Sequence, residues 1–274
     1  MEKLIVALDA LNYKPSVVKF ACYIARLTNS SLTGLFLEDH LALAGSAKPV
    51  RWMEMGQEHP GDESLSESHA ILRNIEVFQN TCIREGVRSG FTRGESYPAV
   101  DLVSASLFAD LVLLDATLTF SEFDGVPSGF VRDVMSRIKC PVIVTPESFD
   151  AVDEIVFTYD GHDSSVFAMK QFTYLFPEFS DKKVSLIHVN KDGEWQGDDR
   201  QMCQKWLSEH FSAIGIQVLR GHTEDRLFDF LFKRKNVFLV MGSYRRNSLS
   251  RFFRHSHADL ILNTIPVPVF ITHS

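Results

Sequence analysis

The densest chemistry in the chain lies between Gly242 and His257, where Arg245, Arg246, Arg251 and Arg254 stand with His255, Ser256 and His257 in an otherwise acidic sequence. Guanidinium groups pair with phosphate oxygens in bidentate geometry, so a cluster of this kind suits an anion. The same residues also suit a solvated face or contacts between domains, and the sequence leaves both readings open. A second candidate is Asp160, which ends an apolar run and precedes Gly161, Ser164 and Ser165. Its carboxylate could serve a ligand, or it could hydrogen-bond the next turn and open a helix. Asp9 closes a similar run near the start of the chain.

Other reactive residue types carry less. His255 and His257 are two apart, with His162, His188 and His222 elsewhere in the same half, and this is not the i, i+4 spacing of a helical zinc site. No metal is expected. The sequence holds no G-x-S-x-G elbow and no complete P-loop, so no catalytic residue is assigned and a noncatalytic protein is expected. Cys22, Cys82, Cys140 and Cys203 are far apart along the chain, with no C-x-x-C pair, which reads as a reducing compartment. Phe228, Phe230, Leu231 and Phe232, and the pair Phe252 and Phe253, read as core or interface.

The elements that must position these residues follow from length and repetition. A chain of 274 residues fits two domains, expected at 1–147 and 153–274. A net charge of −7 speaks against a nucleic-acid surface, and no run of about eighteen apolar residues suggests a membrane span. The opening MEKLIVALDAL lacks the long apolar region of a signal peptide, so a cytoplasmic protein is expected. An internal repeat then organises the whole. Arg93-Gly94 and the run Leu111 to Leu114 recur 127 residues later as Arg220-Gly221 and Phe238 to Met241, and Cys140-Pro141-Val142-Ile143-Val144 recurs as Val267-Pro268-Val269-Phe270-Ile271. The starts, Lys3 to Asp9 and Glu154 to Asp160, are offset by 151, which places 24 extra residues in the first copy, within the stretch 38–66.

Within each copy β-rich runs alternate with helical ones, the pattern of βαβ units and a parallel sheet. The expected strands of the first copy are Leu4 to Leu8, Ser31 to Leu37, Val87 to Thr92, Leu111 to Leu114 and Val142 to Thr145. Those of the second are Ile155 to Tyr159, Lys183 to Val189, Gln217 to Arg220, Val237 to Met241 and Val269 to Thr272. Val17, Phe20, Ala21, Ile24 and Leu27 fall at helical spacing, as do Ile71, Leu72, Ile75, Phe78 and Cys82. Pro146 to Asp153 reads as a linker crossing the surface.

Two segments carry a family resemblance. Phe157-Thr-Tyr-Asp160-Gly161-His-Asp-Ser-Ser165 resembles the opening strand and loop of universal stress protein domains. Gly242 through Ser256, ending in Ile265-Pro-Val-Pro-Val-Phe-Ile-Thr272, is similar to their phosphate loop and closing strand. The resemblance implies a tandem of two Rossmann-like α/β domains, related to the adenine nucleotide alpha hydrolases, each a five-stranded parallel sheet flanked by helices. It implies a nucleotide site in the second copy, with Asp160 beside base and ribose, backbone groups from Val189, and a loop formed by Gly242, Ser243, Arg245, His255 and Ser256. In the family's loop glycines stand where Arg245 and His255 stand here, and a bulky side chain at those positions obstructs a close phosphate. In the first copy Asp115, Leu118, Ser128 and Gly129 occupy the three glycine positions and the serine, and a carboxylate at the mouth of such a loop repels phosphate.

The resemblance thus implies a stress-response protein with a noncatalytic, regulatory role exerted through a protein partner or a conformational change, ATP being the implied ligand. An ATP-binding protein with weak hydrolysis, and a small-ligand or lipid-binding module using residues 38–66, are the alternatives. Pro141 to Thr145 and Pro268 to Thr272, as closing strands with open edges, are expected to pair within the chain as an internal pseudodimer, leaving homodimerisation open.

Overall fold

The apolar runs of the repeat become ten strands in the computed structural model, which describes residues 1–39, 62–121, 125–243 and 267–273. The first five are β1 (Lys3–Asp9), β2 (Ser31–Leu37), β3 (Ser89–Arg93), β4 (Leu111–Asp115) and β5 (Val142–Thr145). The second five are β6 (Glu154–Tyr159), β7 (Lys183–Asn190), β8 (Ala213–Arg220), β9 (Val237–Ser243) and β10 (Val269–His273). They form one sheet in the order β3-β2-β1-β4-β5-β10-β9-β6-β7-β8. Every pairing is parallel except β5 with β10, which is antiparallel and joins two five-stranded halves. The expected pairing of the closing strands is therefore present.

The repeat holds to the residue. Leu4 pairs with Leu111 as Ile155 pairs with Phe238, and Val112 with Val142 as Leu239 with Val269. Strands covered on both faces must be apolar throughout, and all five residues of β4 are buried, whereas all five of the edge strand β3 are exposed. Two strand starts differ from expectation by more than one residue. The third strand begins at Ser89 because Val87 N–H still bonds to the Cys82 carbonyl at 2.9 Å and closes the preceding helix. The eighth strand begins four residues before Gln217, at Ala213, pairing with β7 from Lys183 onward.

Seven helices are described: α1 (Pro15–Leu27), α2 (Asp62–Arg84), α3 (Pro98–Ser106), α4 (Gly129–Arg137), α5 (Asp163–Leu175), α6 (Asp198–Ser208) and α7 (Thr223–Phe232). One core packs α1, α2, α5 and α6 on one face of the sheet, and the other packs α3, α4 and α7 on the opposite face. In α2 the buried stripe is Ile71, Ile75, Phe78 and Cys82; Leu72 is exposed, because one residue turns the helix about 100° away from that stripe. The phenylalanine group of α7 also divides: Phe230 and Leu231 are buried, Phe228 is half-buried and Phe232 is exposed.

The linker is more than a surface crossing. Phe149 packs edge-on against Phe20 and tilted against Tyr23 of α1, at 4.9 and 4.5 Å between ring centroids, and Val152 is buried in the same core. The expected excursion at residues 38–66 falls largely outside the described residues, as do Phe252 and Phe253. Among the described residues no helix is long and apolar enough to cross a membrane.

Candidate functional site

In an open parallel sheet, loops leave on opposite faces where the strand order reverses, and a crevice forms at the carboxyl ends of the two strands there. This sheet has two such points, between β1 and β4 and between β6 and β9. Asp9 and Asp115 end the first pair of strands. Asp160 follows β6, and Gly242 and Ser243 end β9.

The first crevice is a cleft of about 160 Å³ lined by Asp9, Asn12, Lys14, Asp115, Thr117 and Thr119, among others. That is about half the lower bound of ordinary ligand pockets. Its polar groups satisfy one another. Lys14, the residue just before α1, reaches Asp115 Oδ1 at 3.1 Å, and the Thr117 amide and hydroxyl donate to the same oxygen at 2.6 and 2.5 Å. Asp9 Oδ1 accepts from the amides of Leu11 and Asn12 at 2.8 and 2.9 Å, fixing its own turn. The helix that would face a phosphate, α4, is capped internally: Ser128 is fully buried, accepts from Val131 N–H at 3.0 Å and donates to the Leu118 carbonyl. A carboxylate and a closed helix terminus thus stand at the positions of Asp115 and Ser128, where the family's loop carries glycines.

The second crevice is built differently. Asp160 is exposed; its Oδ1 accepts from His162 N–H at 3.1 Å and from the Ser165 hydroxyl, and Ser165 Oγ in turn accepts the Asp160 amide at 3.2 Å. The turn-holding reading of Asp160 is therefore real, and it engages one carboxylate oxygen. Gly161, at φ +84°, supplies the left-handed residue the turn requires. Gly242 has a packing reason as well: a Cβ there would overlap the Ser164 carbonyl and crowd the Ser165 amide nitrogen. The end of β9 thus lies directly on the first turn of α5. Ser164 Oγ is buried there without a hydrogen-bond partner among the described residues. His188 pairs with Tyr159, so Val189 stands across from Asp160 at the same strand ends. Arg245, His255 and Ser256 lie outside the described residues.

Beside this crevice is a cluster that sequence reasoning missed. Tyr159 stacks on Trp195 with centroids 4.7 Å apart, and His188 lies 4.7 Å from Trp195. The Tyr159 hydroxyl and Trp195 Nε1 both donate to Asp199 Oδ2, at 2.9 and 3.0 Å. Desolvation works to raise the pKa of Asp199, but these two bonds and the helix amides outweigh it and hold the carboxyl below the usual range. Burial pushes the Tyr159 hydroxyl up, with the bond to Asp199 adding to the effect. A single tryptophan within the polar stretch 191–200 was the available signal. His188 uses both ring nitrogens, 2.9 Å from the Tyr159 carbonyl and 3.0 Å from Asn190 Nδ2. Among the described residues no group of three or more His, Cys, Asp or Glu side chains could hold a metal ion.

Comparison with known proteins joins these observations. A solved structure of a universal stress protein from Archaeoglobus fulgidus superposes on 99% of this chain and 98% of its own, with a TM-score of 0.65 at 17% identity. The chain carries the fold of a tandem universal stress protein. A functionally unknown protein from Pseudomonas aeruginosa PAO1 has the same architecture, with a TM-score of 0.59, 13% identity and coverage of 100% of this chain and 92% of that one. In sequence, a universal stress protein from Synechocystis is 21% identical over 141 residues, which is 50% of this chain and 48% of that protein. The matched region therefore spans about half the length of that curated relative. No family model matches. Set in the universal-stress-protein fold, the two crevices are equivalent places with opposite contents: Asp115, paired to Lys14, in the first half and Gly242 in the second.

Proposed function

We propose that this chain is a noncatalytic stress-response protein of the cytoplasm whose second half takes an adenine nucleotide, while its first half acts as a structural partner. The observation that carries this reading is the contrast between Asp115 and Gly242. In the first half a carboxylate, its lysine and a capped helix stand at this end of the sheet, whereas in the second half the equivalent of Asp115 is Gly242, which lies against the N-terminal turn of α5. Asp160 keeps Oδ2 without a partner among the described residues, and Val189 stands opposite it. In sequence, Arg245 and Arg246 follow the end of β9 at Ser243 almost at once. Local cations of this kind are what an anionic ligand needs on a chain of net charge −7.

The test is thermal unfolding of the purified chain with and without excess ATP and magnesium, since a ligand bound only by the native state raises its stability by mass action. An upward shift that disappears in Ser256→Ala supports the reading. No shift at millimolar ATP would leave a partner-binding tandem without a nucleotide. Phosphate release during the same incubation would instead favour weak ATP hydrolysis.

A further inference from the structure

We propose that Cys22 and Cys82 are an oxidisable dithiol, which a small peroxide converts to a disulfide tying α1 to α2. The two sulfurs come from elements 60 residues apart in sequence and lie 3.8 Å from each other, fully buried in the seam between the helices. A disulfide needs the sulfurs about 2.05 Å apart, so each must move by roughly 1 Å, within reach of side-chain rotation. Cys140 and Cys203, the remaining free thiols, have no sulfur contact of this kind among the described residues.

The pair is also chemically unequal. The two thiols share a sulfur contact in which either can donate; with Cys22 as donor, Cys82 is held below the usual thiol value despite its burial and Cys22 is pushed up. Burial pushes Cys140 up to about 12 and Cys203 up to about 11, so neither readily yields a thiolate. With Cys22 as the donor, Cys82 is the attacking sulfur and Cys22 the resolving one. In the first step Cys82 thiolate attacks one oxygen of the peroxide, the O–O bond breaks, and a sulfenic acid forms as hydroxide leaves and takes up a proton. In the second, the Cys22 sulfur attacks the Cys82 sulfur, forming the S–S bond and releasing water. The dithiol loses two electrons and two protons, and the peroxide becomes two waters. Because both sulfurs are buried, entry requires local opening of the α1–α2 seam, which admits a small uncharged oxidant and excludes bulky reagents. The product closes a long loop between two helices of the same core and raises stability.

The test uses the full reduced chain under native conditions. Hydrogen peroxide is added, the protein is then denatured and alkylated, and its thiols are counted and its peptides mapped without reduction. The expected result is loss of two of the four thiols, a linked peptide pair containing Cys22 and Cys82, reversal by dithiothreitol, and a higher unfolding temperature for the oxidised form. In Cys82→Ala the two-thiol loss should vanish. The wild-type map decides the matter even if that variant folds poorly. Oxidation of Cys140 or Cys203 while Cys22 and Cys82 stay reduced, or a linked pair seen only after circular dichroism shows unfolding, would overturn the proposal.

Discussion

Ile143 in β5 and Phe270 in β10 face each other across the antiparallel seam, and they are equivalent positions of the two repeats, 127 residues apart. Their neighbours cross over, Val142 facing Ile271 and Val144 facing Val269. This is the isologous contact of a two-fold dimer written within one chain. Both central side chains are fully buried, and Phe270 lies edge-on to Phe172 at 5.4 Å. Phe270→Ala is expected to cost about 3–5 kcal/mol. Because the seam joins the halves, chemical denaturation followed by circular dichroism should show the whole transition move together. A split transition with one part unmoved would mean that the halves unfold independently.

Gly242 is held to glycine by the Ser164 backbone, so Gly242→Ala should destabilise by about 1–3 kcal/mol or more through overpacking. Gly161→Ala meets no neighbour and carries only the strain of a left-handed residue, about 1 kcal/mol. Urea midpoints of the two variants check the order. If Gly242→Ala were the milder change, the close approach of β9 to α5 would be wrong.

In the first crevice the buried cap matters more than the ion pair. Ser128→Ala should cost about 1–2 kcal/mol, since it frees the Val131 amide and the Leu118 carbonyl together. Lys14 is half exposed, and Lys14→Ala should cost less than about 1 kcal/mol. Equal costs in a denaturation series would contradict this description.

Asp199 gives a pH signature. Its carboxyl is depressed in the folded state, so the stability it contributes is present above its unfolded value, near 3.9, and is lost as pH falls through the lower folded value. Asp199→Asn should therefore flatten the acid limb of a stability-against-pH curve and leave its neutral slope unchanged. An unaltered acid limb would show that Trp195 and Tyr159 do not hold the carboxylate as described.

Much of this architecture was legible in the sequence because strands such as Leu111 to Leu114 are apolar on both faces and recur at a fixed offset. The seam was legible too, since Pro141 and Pro268 each precede a short closing strand. Contacts made by long side chains across loops were not. Lys14 precedes a helix like any surface lysine, and nothing local announces that it crosses to Asp115, 101 residues away. Trp195, Tyr159 and Asp199 meet only once the sheet is assembled, and Cys22 and Cys82 looked unrelated for the same reason. Gly242 was identified from a loop pattern, whereas its demonstrated constraint is the backbone of α5.

The most direct test of the central contrast between the two crevices is an equilibrium titration of magnesium ATP into the wild-type chain, Asp160→Ala and Asp9→Ala, read as stoichiometry and affinity. The expected result is one nucleotide per chain, weakened by about tenfold or more in Asp160→Ala and unchanged in Asp9→Ala. Two nucleotides per chain, or loss of binding in Asp9→Ala with Asp160→Ala unaffected, would contradict it.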